Sequence, residues 1–223
     1  MTNITNIPLP LKNMIRRSNI HATKSQAVFF LHGFGSNMHD LFSLSPYFPS
    51  DWTCISLEGT IPISVGGWAW AEIDFSNMMV LPKPEQLLEH RTKILHCIEI
   101  CTKELGLEPE RIYLVGFSQG ASISIFCGLT HPELFHGIVS LCGVIRPNGF
   151  SKEINKDKVR DLNLFMANGT EDELIPIELG RRSKTYLESA GVKPVYREYP
   201  AGHTISTECL QEMLQWLDGL SDK

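Results

Sequence analysis

The sequence lacks a surplus of basic charge: 20 Lys and Arg stand against 25 Asp and Glu, for a formal net charge of −5. Nucleic-acid binding rests on a basic stripe that neutralises phosphates, so that class is excluded, and nothing attracts the chain to anionic lipid. Long hydrophobic runs are missing as well. No stretch approaches the roughly 20 apolar residues that span a bilayer, and the start MTNITNIPLPLKNMIRRSN has no basic region followed by an apolar one. Paired cysteines are also absent. Cys54, Cys97, Cys101, Cys127, Cys142 and Cys209 are scattered, with no CxxC and no Cys/His spacing that suggests zinc. These absences predict a cytoplasmic protein with small buried thiols, Cys97 and Cys101 sharing one helix face.

Short β-rich runs alternate with longer amphipathic stretches. The runs are Ala27–Leu31, Trp52–Leu57, Ile112–Val115, Gly137–Leu141, Leu162–Met166 and Val195–Tyr199. Being apolar at consecutive positions, they suit strands covered on both faces, as in a parallel sheet. Helices are predicted over Pro84–Leu105, Ser118–Leu129, Ile177–Ala190 and Thr204–Leu217. The alternation predicts a single domain over residues 1–223: a three-layer α/β sandwich with a mostly parallel central sheet. The N-terminal stretch through about residue 20 is expected to add an antiparallel edge strand. Residues 58–83 have no sustained period and form a long loop or lid insertion on the substrate side.

In an open parallel sheet, ligands bind at the carboxyl ends of the strands, and this rule sorts the chemistry-bearing residues. In GFSQG, residues 116–120, Ser118 follows the Ile112–Val115 run at a strand-to-helix turn, flanked by glycines that permit a sharp bend. It reads either as a nucleophile or as a hydroxyl capping the following helix. A nucleophilic serine needs a histidine base and a carboxylate that orients it. Of the histidines after Ser118, His131 and His136 belong to the opposite edge, whereas His203 follows Val195–Tyr199 at the correct one. Asp172 follows the Leu162–Met166 run, with Glu171 and Glu173 as adjacent rivals. Asp157 and Asp161 precede that strand, and Asp218 and Asp222 lie in the C-terminal tail. Oxyanion donors are expected from the backbone N–H of Gln119 and of Phe34, in the loop HGFG that follows Ala27–Leu31. His32 itself reads as a structural histidine bonded to loop backbone.

Phe30-Leu31-His32-Gly33-Phe34-Gly35, Gly116-Phe117-Ser118-Gln119-Gly120, Asn168-Gly169 through Asp172-Glu173-Leu174-Ile175-Pro176, and Gly202-His203 occur in that order. With them the chain resembles the phospholipase/carboxylesterase family, which includes acyl-protein thioesterases and small bacterial carboxylesterases. The resemblance runs from about residue 26 to the C-terminus. It implies an α/β-hydrolase fold, a Ser118–Asp172–His203 triad and an oxyanion hole made by the amides of Phe34 and Gln119. The chain departs from the family pattern at Ser36-Asn37, at Gly120-Ala121 and at Trp68-Ala69-Trp70-Ala71-Glu72, where a WYD-like motif is usual.

The implied activity is that of a serine esterase cleaving carboxylic esters, extending to acyl thioesters, through an acyl-enzyme. An acyl-protein thioesterase or a lysophospholipase with the same triad is the alternative, and a catalytically silent binding module is a third reading. The substrate is a small ester or an acylated molecule. No metal or organic cofactor is signalled, and oligomeric state is not legible. Trp68, Trp70, Phe75 and Met78 are the candidate substrate-binding residues, with the alternative that several only anchor the long loop to the core.

Overall fold

The computed structural model describes residues 4–19, 25–64, 66–73, 83–145 and 153–221. The strands are β1 (Ile4–Thr5), β2 (Asn13–Arg16), β3 (Ser25–Leu31), β4 (Thr53–Leu57), β5 (Ile61–Pro62), β6 (Trp68–Ala69), β7 (Leu107–Phe117), β8 (Gly137–Leu141), β9 (Leu164–Gly169) and β10 (Val195–Tyr199). The helices are α1 (His39–Phe42), α2 (Pro84–Glu104), α3 (Gln119–Thr130), α4 (Ile177–Ser189) and α5 (Thr207–Ser221). Eight strands form one sheet in the order β1-β2-β4-β3-β7-β8-β9-β10. From β4 to β10 every pairing is parallel, while β1 and β2 join antiparallel at one edge, as the N-terminal reading predicts.

Alternate residues of each strand serve opposite layers, because successive side chains point to opposite faces. On one face Phe29, Leu31, Leu114, Ile138 and Met166 pack with Ile94 and Cys97 of α2, Ile123 and Phe126 of α3 and Leu187 of α4. On the other, Val28, Phe30, Val115, Val139 and Phe165 pack with Leu41 of α1 and Met213 and Leu217 of α5. Burial on both faces is why these strands read as continuous apolar runs.

Several boundaries move. β9 continues through Asn168 and Gly169 because β10 pairs with it to the end, Glu198 opposite Asn168 and Tyr199 opposite Gly169. α5 begins at Thr207 rather than Thr204. Ser206 sets that start: its Oγ accepts from Cys209 N–H at 3.2 Å, leaving residues 203–206 as a loop. All six cysteines are free and buried.

Helix α3 packs unusually close to the end of β3. A Cβ at Gly120 would lie 2.0 Å from the Leu31 carbonyl oxygen, a backbone atom that cannot swing away. The segment after β4 is anchored differently, around Trp70, whose side chain is wholly buried. Its ring lies 5.1 Å from that of His32 and 5.6 Å from that of His90, and its Nε1–H donates to His32 O at 2.8 Å. The two histidines are neutral by their partners. Gly59 N–H donates to His32 Nε2 at 3.0 Å, so the ring proton sits on Nδ1 and bonds Gly33 O at 2.7 Å. Likewise Thr60 N–H donates to His90 Nε2 at 3.1 Å, and His90 Nδ1–H donates to Gln86 O at 3.0 Å. Burial lowers the pKa of both rings from the ordinary 6.5.

Two outcomes follow from this packing. Gly120→Ala should lower stability by about 1–3 kcal/mol, read from the urea midpoint, and an unchanged midpoint would contradict the close approach. An imidazole that folding makes less basic binds its proton more tightly in the unfolded chain, so its contribution to stability is full above about pH 6.5 and declines as the pH falls below that value. The urea midpoint should therefore fall between pH 7.5 and pH 5.5, and fall less in His90→Gln. The same pH dependence in variant and wild type would argue against neutral buried rings.

Candidate active site

Four loops meet at the carboxyl edge of the sheet: after β3, β7, β9 and β10. Ser118 joins β7 to α3 with φ 53 and ψ −114. Among the described residues only Ser118 and Cys142 are non-glycine residues with positive φ. Such a backbone costs on the order of 1–3 kcal/mol and persists only where the surroundings enforce it. Here Ser118 N–H is committed to Leu141 O of β8 at 2.8 Å while α3 is pressed against β3. Ser118 stands at the N-cap position of α3, but its side chain makes no capping bond. Its Oγ lies instead 2.9 Å from His203 Nε2.

The chain of contacts continues inward. His203 Nδ1 lies 2.6 Å from Asp172 Oδ2. Asp172 Oδ1 accepts from Leu174 N–H at 2.9 Å and Ile175 N–H at 2.8 Å, a local turn that a short acidic side chain makes with its own backbone. Glu171 and Glu173 on either side are exposed, while the Asp172 side chain has no exposure and that of His203 has 16%. A carboxylate that accepts three N–H bonds away from solvent holds the imidazole it meets in a fixed orientation. The ring of Phe117 packs against His203 at 5.0 Å between centroids.

The remaining candidates fall elsewhere. His131 ends α3, its Nδ1 2.9 Å from Thr130 Oγ1, and His136 donates from Nε2 to Leu220 O at 3.0 Å near the amino end of β8. Asp161 lies in a turn before β9 and Asp218 in α5. Phe34 lies in the loop after β3, next to Gly33, where an added Cβ would lie 3.5 Å from Ser118 Cβ. Gln119 opens α3, where the first amides of a helix have no carbonyl within it and the helix dipole favours negative charge.

Of the substrate-binding candidates, Trp70 is wholly enclosed, as the anchoring alternative expects, its indole tilted 35° to the His32 ring and edge-on to that of His90. Trp68 is half-buried, with the Lys12 ammonium 4.6 Å from its ring centre. Phe75 and Met78 lie outside the described residues.

Two features were not legible. The Gln119 side chain is buried and bonds the Trp70–Ala71 backbone. Nothing in the order GFSQG signals that reach. Cys142, read as a small hydrophobe, follows β8 and places Sγ within 4.8 Å of the Asp172 and His203 ligand-type atoms. Burial, with the Asp172 charge adding to it, pushes its thiol up to about 12, and the S–H points to Thr204 O at 3.5 Å. Asp172 and His203 are joined by hydrogen bonds, Oδ1 and Oδ2 of the carboxylate both meeting N–H donors, while the Cys142 thiol bonds backbone beside them.

The signature of the phospholipase/carboxylesterase family matches residues 17–221. A probable carboxylesterase, SOBER1-like, of Arabidopsis thaliana is 31% identical over 139 residues, 61% of this chain and 52% of that protein. Acyl-protein thioesterase 1 of Gibberella zeae is 34% identical over 115 residues, 50% of this chain and 49% of that one. The chain thus spans about half the length of these two relatives. In three dimensions it is similar to the crystal structure of a carboxylesterase from Mesorhizobium loti, with a TM-score of 0.84 and 20% identity over 97% of this chain and 99% of that one. That likeness establishes a shared α/β-hydrolase fold, and with the sequence match over nearly its whole length the chain belongs to the phospholipase/carboxylesterase family.

Proposed function

We propose that this protein is a serine carboxylesterase that hydrolyses small esters, and acyl thioesters by the same route, through an acyl-enzyme on Ser118. The observation that carries the reading is the continuous chain from Ser118 Oγ to His203 at 2.9 Å and from His203 to Asp172 at 2.6 Å, set at a helix N-terminus. The domain is read as a single α/β-hydrolase unit over residues 1–223, with residues 58–83 as its substrate-side insertion. Six buried thiols support a reducing, cytoplasmic setting.

The chemistry follows from where each proton sits. With the Nδ1 proton held by Asp172, His203 Nε2 is free to accept the Ser118 proton as Oγ attacks the acyl carbonyl. Negative charge develops on the carbonyl oxygen, and the amides of Phe34 and Gln119 stabilise it. The imidazolium then gives its proton to the departing alcohol or thiol. Water enters, loses a proton to the same Nε2 as it attacks the acyl carbonyl, and the acid leaves as Nε2 returns that proton to Ser118 Oγ. Asp172 stays ionised, orienting the ring and stabilising its charged form. Every proton taken is returned, so the cycle balances without a co-reactant. A dedicated acyl-protein thioesterase would use the same groups and differ in the surface that receives the acylated protein.

Two experiments test this reading. A fluorophosphonate probe should label wild-type protein and fail to label Ser118→Ala, and unlabelled but well-folded wild type would overturn the assignment. Asp172→Asn should lower kcat for a p-nitrophenyl ester by about 10⁴-fold, the scale found where a triad acid loses its charge. A loss below tenfold would remove Asp172 from the triad.

A further inference from the structure

The segment Trp68–Ala71 is hydrogen-bonded to both halves of the proposed oxyanion hole. On one side Trp68 N–H donates to Ser36 O at 2.7 Å and Gly35 N–H donates to Trp68 O at 2.9 Å, next to Phe34. The contact is so close that a Cβ at Gly67, which has φ +80, would lie 1.9 Å from Gly35 O. Trp70 Nε1–H reaches His32 O on the same loop. On the other side the segment meets the Gln119 side chain. Trp70 N–H donates to Gln119 Oε1 at 2.8 Å, with Ala71 N–H at 3.4 Å, and Gln119 Nε2–H donates to Ala71 O at 2.7 Å. The carboxamide acts as a neighbouring strand would, offering one acceptor and one donor to consecutive backbone groups.

We propose that the Gln119 carboxamide is a positioning group for the oxyanion hole: it locks the first turn of α3 to the segment that holds Gly35 and Ser36, and so sets the spacing between the Phe34 and Gln119 amides. The proposal rests on the esterase reading given above. Catalytic hydrogen bonds act on developing charge only when their donors are already in place, so a shift of a few tenths of an ångström in one amide is felt in turnover. Glutamine supplies both a donor and an acceptor without titrating, whereas a carboxyl of the same length does so only when protonated. The same segment continues into Glu72 and Ile73 of the substrate-side insertion, which gives the hole a direct mechanical link to the part of the chain expected to receive the acyl group.

The test uses the titration of a near-isosteric replacement. In Gln119→Glu the ionised carboxylate faces Ala71 O, acceptor against acceptor, and the clamp is broken. Once protonated, the same group donates O–H to Ala71 O and accepts from Trp70 N–H, and the clamp is restored. We expect kcat for a p-nitrophenyl ester at pH 8 to fall by about 10²-fold or more, the scale of losing one oxyanion donor, with KM changed less than threefold. The ratio of variant to wild-type kcat should then rise at least tenfold between pH 8 and pH 5.5, since dividing by wild type removes the titration the two share. Gln119→Met should be slow with a pH-independent ratio. A purely structural role would make both ratios flat, and that result, or wild-type kcat in Gln119→Glu, overturns the proposal. If Gln119→Glu does not fold, Gln119→Asn, one carbon shorter with the same polar atoms, decides: a lowered kcat at unchanged KM supports the clamp and wild-type kcat overturns it. A wild type that hydrolyses none of the esters overturns the functional reading and the proposal with it, whereas active wild type matched by its variants overturns the proposal alone.

Discussion

The close approach of helix α3 to the end of β3 is the constraint from which the carboxyl edge is built. With Gly120 against the Leu31 carbonyl, the chain has no room for an ordinary turn between β7 and α3, and Ser118 takes a backbone conformation that serine rarely adopts. That strain turns the hydroxyl away from the helix it caps by position and toward His203. The same approach brings the first amides of α3 beside the loop after β3, where Phe34 lies. The proposed nucleophile and both proposed oxyanion donors therefore depend on one backbone contact.

Polarity across the site is graded by depth. Asp172 is innermost and fully enclosed, His203 is slightly exposed, and Ser118 is half-buried. The acid is held in place by two amides of its own turn before it meets the imidazole, so its orientation does not depend on substrate. A charge placed below the base favours the imidazolium when it forms, and the outermost group remains accessible to an acyl carbonyl. Around this core the Trp68–Ala71 segment acts as a brace between the β3 loop and α3, with Trp70 held between two neutral histidines.

Much of this was legible in the sequence because parallel sheets sort residues by strand end. His203 and Asp172 follow their strands while His131, His136 and Asp161 do not, and that simple order separates them before any coordinates. Continuous apolar runs identified the inner strands because both faces are covered. The less legible parts depend on long-range backbone partners. The extent of β9 is set by its pairing with β10, and the short strands β5 and β6 are held by pairing with each other and by the bridge from Trp68 to Ser36. Trp70 looks like a pocket residue by composition, yet its indole N–H finds a carbonyl some forty positions away and draws it inside. The Gln119 carboxamide was hidden for the same reason: its partners are backbone groups, which no residue pattern displays. Cys142 offered only a small apolar residue after a strand, and neither its positive φ nor its place beside Asp172 and His203 is displayed by that pattern.

The most direct measurement is the mass of the protein during turnover. A p-nitrophenyl ester mixed with enzyme and quenched in acid within the first turnovers should leave one acyl group, located by peptide mapping on Ser118 and absent from Ser118→Ala. Turnover that continues with no adduct, or with the acyl group on another residue, would contradict the account.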